Sequence, residues 1–91
     1  MKTPVPLLSM LESTASDLDV SVSYESISAA VGSGGLCKVR GRYRIIVDRR
    51  AVPAERVAVL ASSLARLDLS GLELSPEVAG AIEPYRLSRA S

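Results

Sequence analysis

The chain has 91 residues, 47% of them apolar, and a formal net charge of +1. This length supports one domain with a single core, and a charge near zero gives no global field toward nucleic acid or an acidic membrane. With one Cys and no His, Phe or Trp, composition excludes an intrachain disulfide and Ser–His nucleophilic catalysis. It also argues against a protein-built zinc or copper site and leaves few platforms for stacking single-stranded bases.

The first predicted element is a helix from about Pro4 to Asp17. Thr3 can cap it, and Pro4 suits a first turn whose N–H groups need no intrahelical acceptor. Leu7, Leu8, Met10, Leu11, Ala15 and Leu18 supply its apolar stripe, and Asp17 and Asp19 end it. From Val20 to Tyr24, Val and Ser alternate with the period of a half-buried strand, so Val20, Val22 and Tyr24 are expected to point inward. Ser26 to Gly35 is the least regular piece. Its Gly32-Ser33-Gly34-Gly35 run reads as a flexible connection rather than a phosphate loop, because GxxxxGK[ST] is absent and a strand follows.

Leu36–Arg40 and Tyr43–Asp48 read as two strands joined by a tight turn at Gly41-Arg42. Alternation places Cys37 and Val39 on one side of the first strand and Leu36, Lys38 and Arg40 on the other. On the second strand, Tyr43, Ile45 and Val47 alternate with Arg44, Ile46 and Asp48. The expected hairpin has one apolar and one largely basic side, with Cys37 as a small buried thiol among apolar neighbours. Pro53 marks the next helix, with Glu55 at the positive end of its dipole and Val57, Leu60, Ala61, Leu64 and Leu67 on its apolar face. Asp68 to Leu74 reads as a packed loop. Ser75 caps a last short helix that Pro76 opens, Val78, Ala81 and Ile82 bury, and Pro84 ends.

The order is therefore α-β-β-β-α-α. It predicts an α+β fold in which a three-stranded, mostly antiparallel sheet packs with about three helices. Residues 1–86 form the expected domain and 87–91 a frayed tail. No apolar run is long enough to span a bilayer and no signal peptide is evident, so a cytoplasmic protein without a membrane partner is expected.

Three segments carry a resemblance. Gly35-Leu36-Cys37-Lys38-Val39-Arg40-Gly41-Arg42, Ile45-Ile46-Val47-Asp48-Arg49-Arg50, and Glu55-Arg56 followed by Val59 to Leu67 resemble a group of small uncharacterised bacterial proteins. More distantly, the layout is similar to the ImmA/IrrE-type metallopeptidases, in which a hairpin, an arginine-bearing loop and an HExxH helix follow in the same order. Placed on this sequence, that family's two metal-binding histidines fall on Ser62 and Arg66, and its general-base glutamate on Ser63. The resemblance thus implies a peptidase-like frame without its zinc ligands. Neither serine hydroxyls nor a guanidinium can supply that chemistry, since an Arg stays protonated.

Other catalytic constellations are weak. A Ser–Lys dyad would need Lys2 in a tail or Lys38 on a basic strand, and the carboxylates occupy caps and polar faces. Charge gives a clearer signal. Between residues 32 and 50, six cations, Lys38, Arg40, Arg42, Arg44, Arg49 and Arg50, face one carboxylate, Asp48, for a net +5. Asp48-Arg49-Arg50 reads as a local ion pair fixing the loop before Pro53, or as part of a contact surface. These seven residues are the candidate partner-binding set.

The sequence-level reading is a non-enzymatic bacterial module without cofactor, acting through a protein partner or a second copy of itself. Nucleic-acid binding by the basic hairpin is the alternative, and a degenerate peptidase-like scaffold the second. The competing explanation for the cations is an exposed sheet kept soluble and unpaired by Lys and Arg.

Overall fold

The computed structural model describes residues 4–26 and 34–90. Its elements run α1 (Pro4–Asp17), β1 (Ser21–Glu25), β2 (Gly34–Val39), β3 (Arg42–Asp48), α2 (Pro53–Leu64) and α3 (Pro76–Ala90). This is the expected α+β order, with three helices and a three-stranded sheet. The expected cap at Thr3 and most of the glycine-containing connection, residues 27–33, lie outside the described residues.

α1 buries Leu8, Leu11 and Ala15, with Leu7 and Leu18 packed at the margin. Met10, expected in that stripe, is 38% exposed, because a step of about 100° from Leu11 turns it off the buried face. The helix stops where Asp19 takes φ +61°. The N–H of Val20 then bonds the carbonyl of Ala15 at 2.9 Å, and that of Asp19 bonds Ser16 at 3.0 Å. This pair of bonds around one left-handed residue is a Schellman stop, and buried Val20 supplies its apolar contact.

The sheet is mixed, in the order β1-β3-β2. β2 pairs with β3 antiparallel, as a hairpin must. β1 pairs with β3 in parallel, so the central strand is the last of the three in sequence. β1 and β2 run antiparallel to each other with β3 between them. This register sets Val22 beside Ile45 and Tyr24 beside Val47, so the apolar rows of both strands line the same side.

The tight turn falls at Arg40-Gly41, one residue before the expected Gly41-Arg42. Both turn residues have positive φ, +53° and +81°, which is the signature of a type I′ turn and matches the strand twist. β2 also begins earlier than expected, at Gly34. There φ is +117° and the Ile46 carbonyl comes so near that an added Cβ would sit 1.9 Å from its oxygen. Only glycine fits such a crossing.

The expected division of the hairpin into an apolar and a basic side is corrected by the register. Leu36 pairs with Ile45, Cys37 with Arg44, Lys38 with Tyr43 and Val39 with Arg42, and directly paired residues share a face. Leu36, Lys38, Tyr43, Ile45 and Val47 therefore lie on the helix side. Cys37, Val39, Arg42, Arg44 and Ile46 lie on the face that no described helix covers. Cys37 is accordingly half-buried beside Arg44 rather than buried in the core.

α2 is the central helix, touching α1, α3, β2 and β3. Val52 offers no capping side chain, but its N–H bonds the Glu55 carboxylate at 3.1 Å. Leu60 and Leu64 meet Leu11, Ile45, Val47 and Ile82 as the fully buried centre, each such side chain contributing about 1.5–3 kcal/mol of transfer free energy. α2 ends at Leu64, so Leu67 packs from the following loop, together with buried Leu69. Ser75 caps α3 through a 3.3 Å bond from the Val78 N–H. α3 does not stop at Pro84, as expected, but continues to Ala90, across residues expected as tail. Pro84 forfeits a bond only to the carbonyl of Gly80. Both residues are exposed, so water can take that carbonyl and the proline costs no buried hydrogen bond.

Candidate functional site

The seven candidate residues separate into two groups at opposite ends of β3. Asp48, Arg49 and Arg50 close the strand and enter α2. The Asp48 carboxylate accepts the Arg50 backbone N–H at 3.0 Å and pairs with its guanidinium at 3.4 Å. Those bonds, the backbone one foremost, hold the Asp48 carboxyl below its ordinary pKa. The N–H of Arg49 extends the sheet ladder to Glu25 at 2.9 Å, and its carbonyl accepts from Arg56 at 2.9 Å. This end is a local turn closed by the Asp48 carboxylate on the Arg50 backbone N–H.

Arg56 belongs to a constellation that sequence reading missed. It also donates to the Ala51 carbonyl at 2.8 Å and lies 4.9 Å from the centre of the Tyr24 ring. The Tyr24 hydroxyl in turn donates to the Glu12 carboxylate. Burial first, then the bond to Glu12 and its charge, push Tyr24 up to about 12, against the pull of Arg56. The chain Glu12–Tyr24–Arg56 thus ties α1, β1, α2 and the β3–α2 loop together. No local signal announces it, because its three members are distant in sequence.

Lys38, Arg40, Arg42 and Arg44 gather at the other end, around the hairpin tip. Every residue from Lys38 to Arg44 is exposed. This tip lies beyond the layer of helices, which is why Tyr43, expected to face inward, is 40% exposed although it points to the helix side. The Lys38 ammonium sits 5.2 Å from the centre of the Tyr43 ring, a cation–π contact that steadies the side chain. Arg44 has one acidic neighbour, Glu25, at 4.0 Å, with both side chains about half exposed. At that separation and exposure the pair contributes little. No ion pair engages Arg40 or Arg42 among the described residues.

Arg40 carries a second anomaly. Its φ of +53° lies in the left-handed region, where an ordinary side chain costs about 1–2 kcal/mol. The first central position of a type I′ turn favours Asn, Asp or Gly. A long cation stands here instead, at the outermost point of the hairpin. Strain of this kind concentrates where a side chain is needed for contact.

The positions matched to peptidase ligands offer no comparable site. Ser63 is buried, Ser62 donates to the Val59 carbonyl at 3.2 Å, and Arg66 is exposed past the end of α2. Among the described residues there is no group of three His, Cys, Asp or Glu side chains able to hold a metal. None of their helices is long and apolar enough to cross a membrane. The chain matches no protein-family model, no curated protein and no solved structure.

Proposed function

We propose that this chain is a non-enzymatic, cytoplasmic bacterial module that binds a polyanionic partner with the tip of its β2–β3 hairpin. One observation carries the reading: residues 38–44 are all exposed and hold four cations and no acid, with Arg40 kept at the apex at a conformational cost. The absence of histidine favours a role without turnover, and the single cysteine favours a reducing compartment.

The test is retention on immobilised heparin, with elution by salt. The parent protein should bind at low ionic strength, and a Lys38→Ser/Arg42→Ser variant should elute at markedly lower salt with an unchanged melting temperature. Both side chains are exposed, so their loss should leave stability within about 0.5 kcal/mol. Equal elution of parent and variant would overturn the proposal.

A second reading rests on the outer edge of β2, with which no strand pairs among the described residues. Such an edge can pair with a second copy. Sedimentation equilibrium would then show a dimer, insensitive to salt, that a proline at Lys38 disrupts. A monomer at all concentrations would exclude it.

A further inference from the structure

We infer that the polyanion is a nucleic-acid duplex, which takes the hairpin as a two-stranded ribbon inserted tip-first into its groove. This rests on the reading of the hairpin as the contact surface and adds the identity of the partner. The observation behind it is how the cations are distributed around the ribbon. Arg42 and Arg44 lie on the helix-free face, Lys38 on the opposite face and Arg40 at the apex. A flat acidic protein surface can meet only one face of a ribbon and would leave the cations of the other in water. A duplex groove has a wall of phosphates on each side, so both faces and the apex find anions at once.

The dimensions agree. Two cross-strand pairs, Lys38–Tyr43 and Val39–Arg42, lie beyond the end of β1, whose pairing with β3 begins at Ser21–Arg44. From the Arg44 level to the apex at Arg40 the ribbon projects roughly 10 Å at about 3.3 Å per residue, and its strands are about 4.8 Å apart. The major groove is about 12 Å wide and 8.5 Å deep and accepts a two-stranded ribbon. A single strand fits less well, because such strands are held largely by stacking on aromatic rings. The ribbon offers only Tyr43, whose ring already carries Lys38. Glu25 and Asp48 sit opposite each other in register at the far end of β3. The Glu25 carboxylate reaches Arg44 only at 4.0 Å and half exposed, a pair too weak to withhold that cation from phosphate.

The experiment is fluorescence anisotropy of the full chain with three labelled probes: a duplex of about 20 base pairs, one of its strands alone, and poly-glutamate, titrated between about 50 and 200 mM salt. The duplex should bind tightest. The logarithm of its affinity should fall against the logarithm of salt with a slope near −3.6 for four phosphate contacts, a loss of roughly 150-fold over that range. Lys38→Ser and Arg42→Ser, on opposite faces, should each reduce the slope by about 1. Poly-glutamate binding as tight as duplex binding would make the partner an acidic protein and overturn the inference. Tighter binding of the single strand, or loss of slope for one face only, would also overturn it. Each of these leaves the hairpin as the contact surface. No hairpin-dependent binding to any probe would overturn that reading as well.

Discussion

Replacing Arg40 by Asn separates the two demands on the hairpin apex. Arg40 holds φ +53° beside Gly41 at +81°, a conformation that costs an ordinary L-residue about 1–2 kcal/mol. Asn bears it more cheaply, because its short polar side chain hydrogen-bonds locally, and Asn-Gly is the favoured type I′ pair. Recovering about half of that cost would stabilise the protein by about 0.5–1 kcal/mol, a rise in melting temperature of roughly 3–6 °C for a domain of this size. The same change deletes the outermost cation. Binding to duplex should weaken, and the salt slope should become shallower by about 0.9. Thermal melts followed by circular dichroism read the first effect and anisotropy titrations the second. An unchanged melting temperature would refute the claim of strain at Arg40. Higher stability with an undiminished salt slope would refute its role as a contact.

Three further outcomes follow from the fold. Gly34→Ala places a methyl group against the Ile46 carbonyl at a positive φ, so urea denaturation should show a loss of more than about 2 kcal/mol; near-parental stability would contradict the close crossing. Asp19→Gly keeps the Schellman stop of α1 while removing a left-handed non-glycine residue, and should gain about 0.5–1 kcal/mol in the same assay, whereas a loss would mean the aspartate side chain is needed there. The Tyr24 hydroxyl, raised from 10.0 to about 12, stabilises the fold fully below pH 10, and that contribution disappears as pH rises through 12. Parent and Tyr24→Phe stabilities should therefore differ at pH 8 and converge toward pH 12; a constant difference would rule out the bond to Glu12 as its source.

Much of the fold was legible because its signals are local. Pro53 and Pro76 mark two helix starts, Ser75 caps the second, and the apolar spacing of α2 identifies Leu60, Ala61 and Leu64 as core. Strand identity and the existence of the hairpin were equally evident. The insertion of β3 between β1 and β2, in parallel with β1, was not, because nothing within β1 specifies which distant strand it joins. Alternation gives the two faces of each strand, but relating the faces of β2 and β3 requires the cross-strand register. That step moved Lys38 to the helix side and Cys37 and Val39 beside the arginines. Alternation directs Tyr43 inward but does not give the point at which the helices stop covering the sheet. The continuation of α3 through Pro84 depends on Gly80 and Pro84 both facing solvent. The cluster of cations was plain in the sequence; its division into a self-paired turn at Asp48–Arg50 and an open tip at Lys38–Arg44 appears only in three dimensions.

The most direct test of the hairpin as the binding surface is an amide chemical-shift map of the isotopically labelled protein during titration with a short duplex. The largest changes should fall on residues 38–44, with α3 and the Asp48–Arg50 turn nearly silent. Changes centred on Arg49 and Arg50, or spread evenly over the surface while the hairpin stays still, would contradict the account.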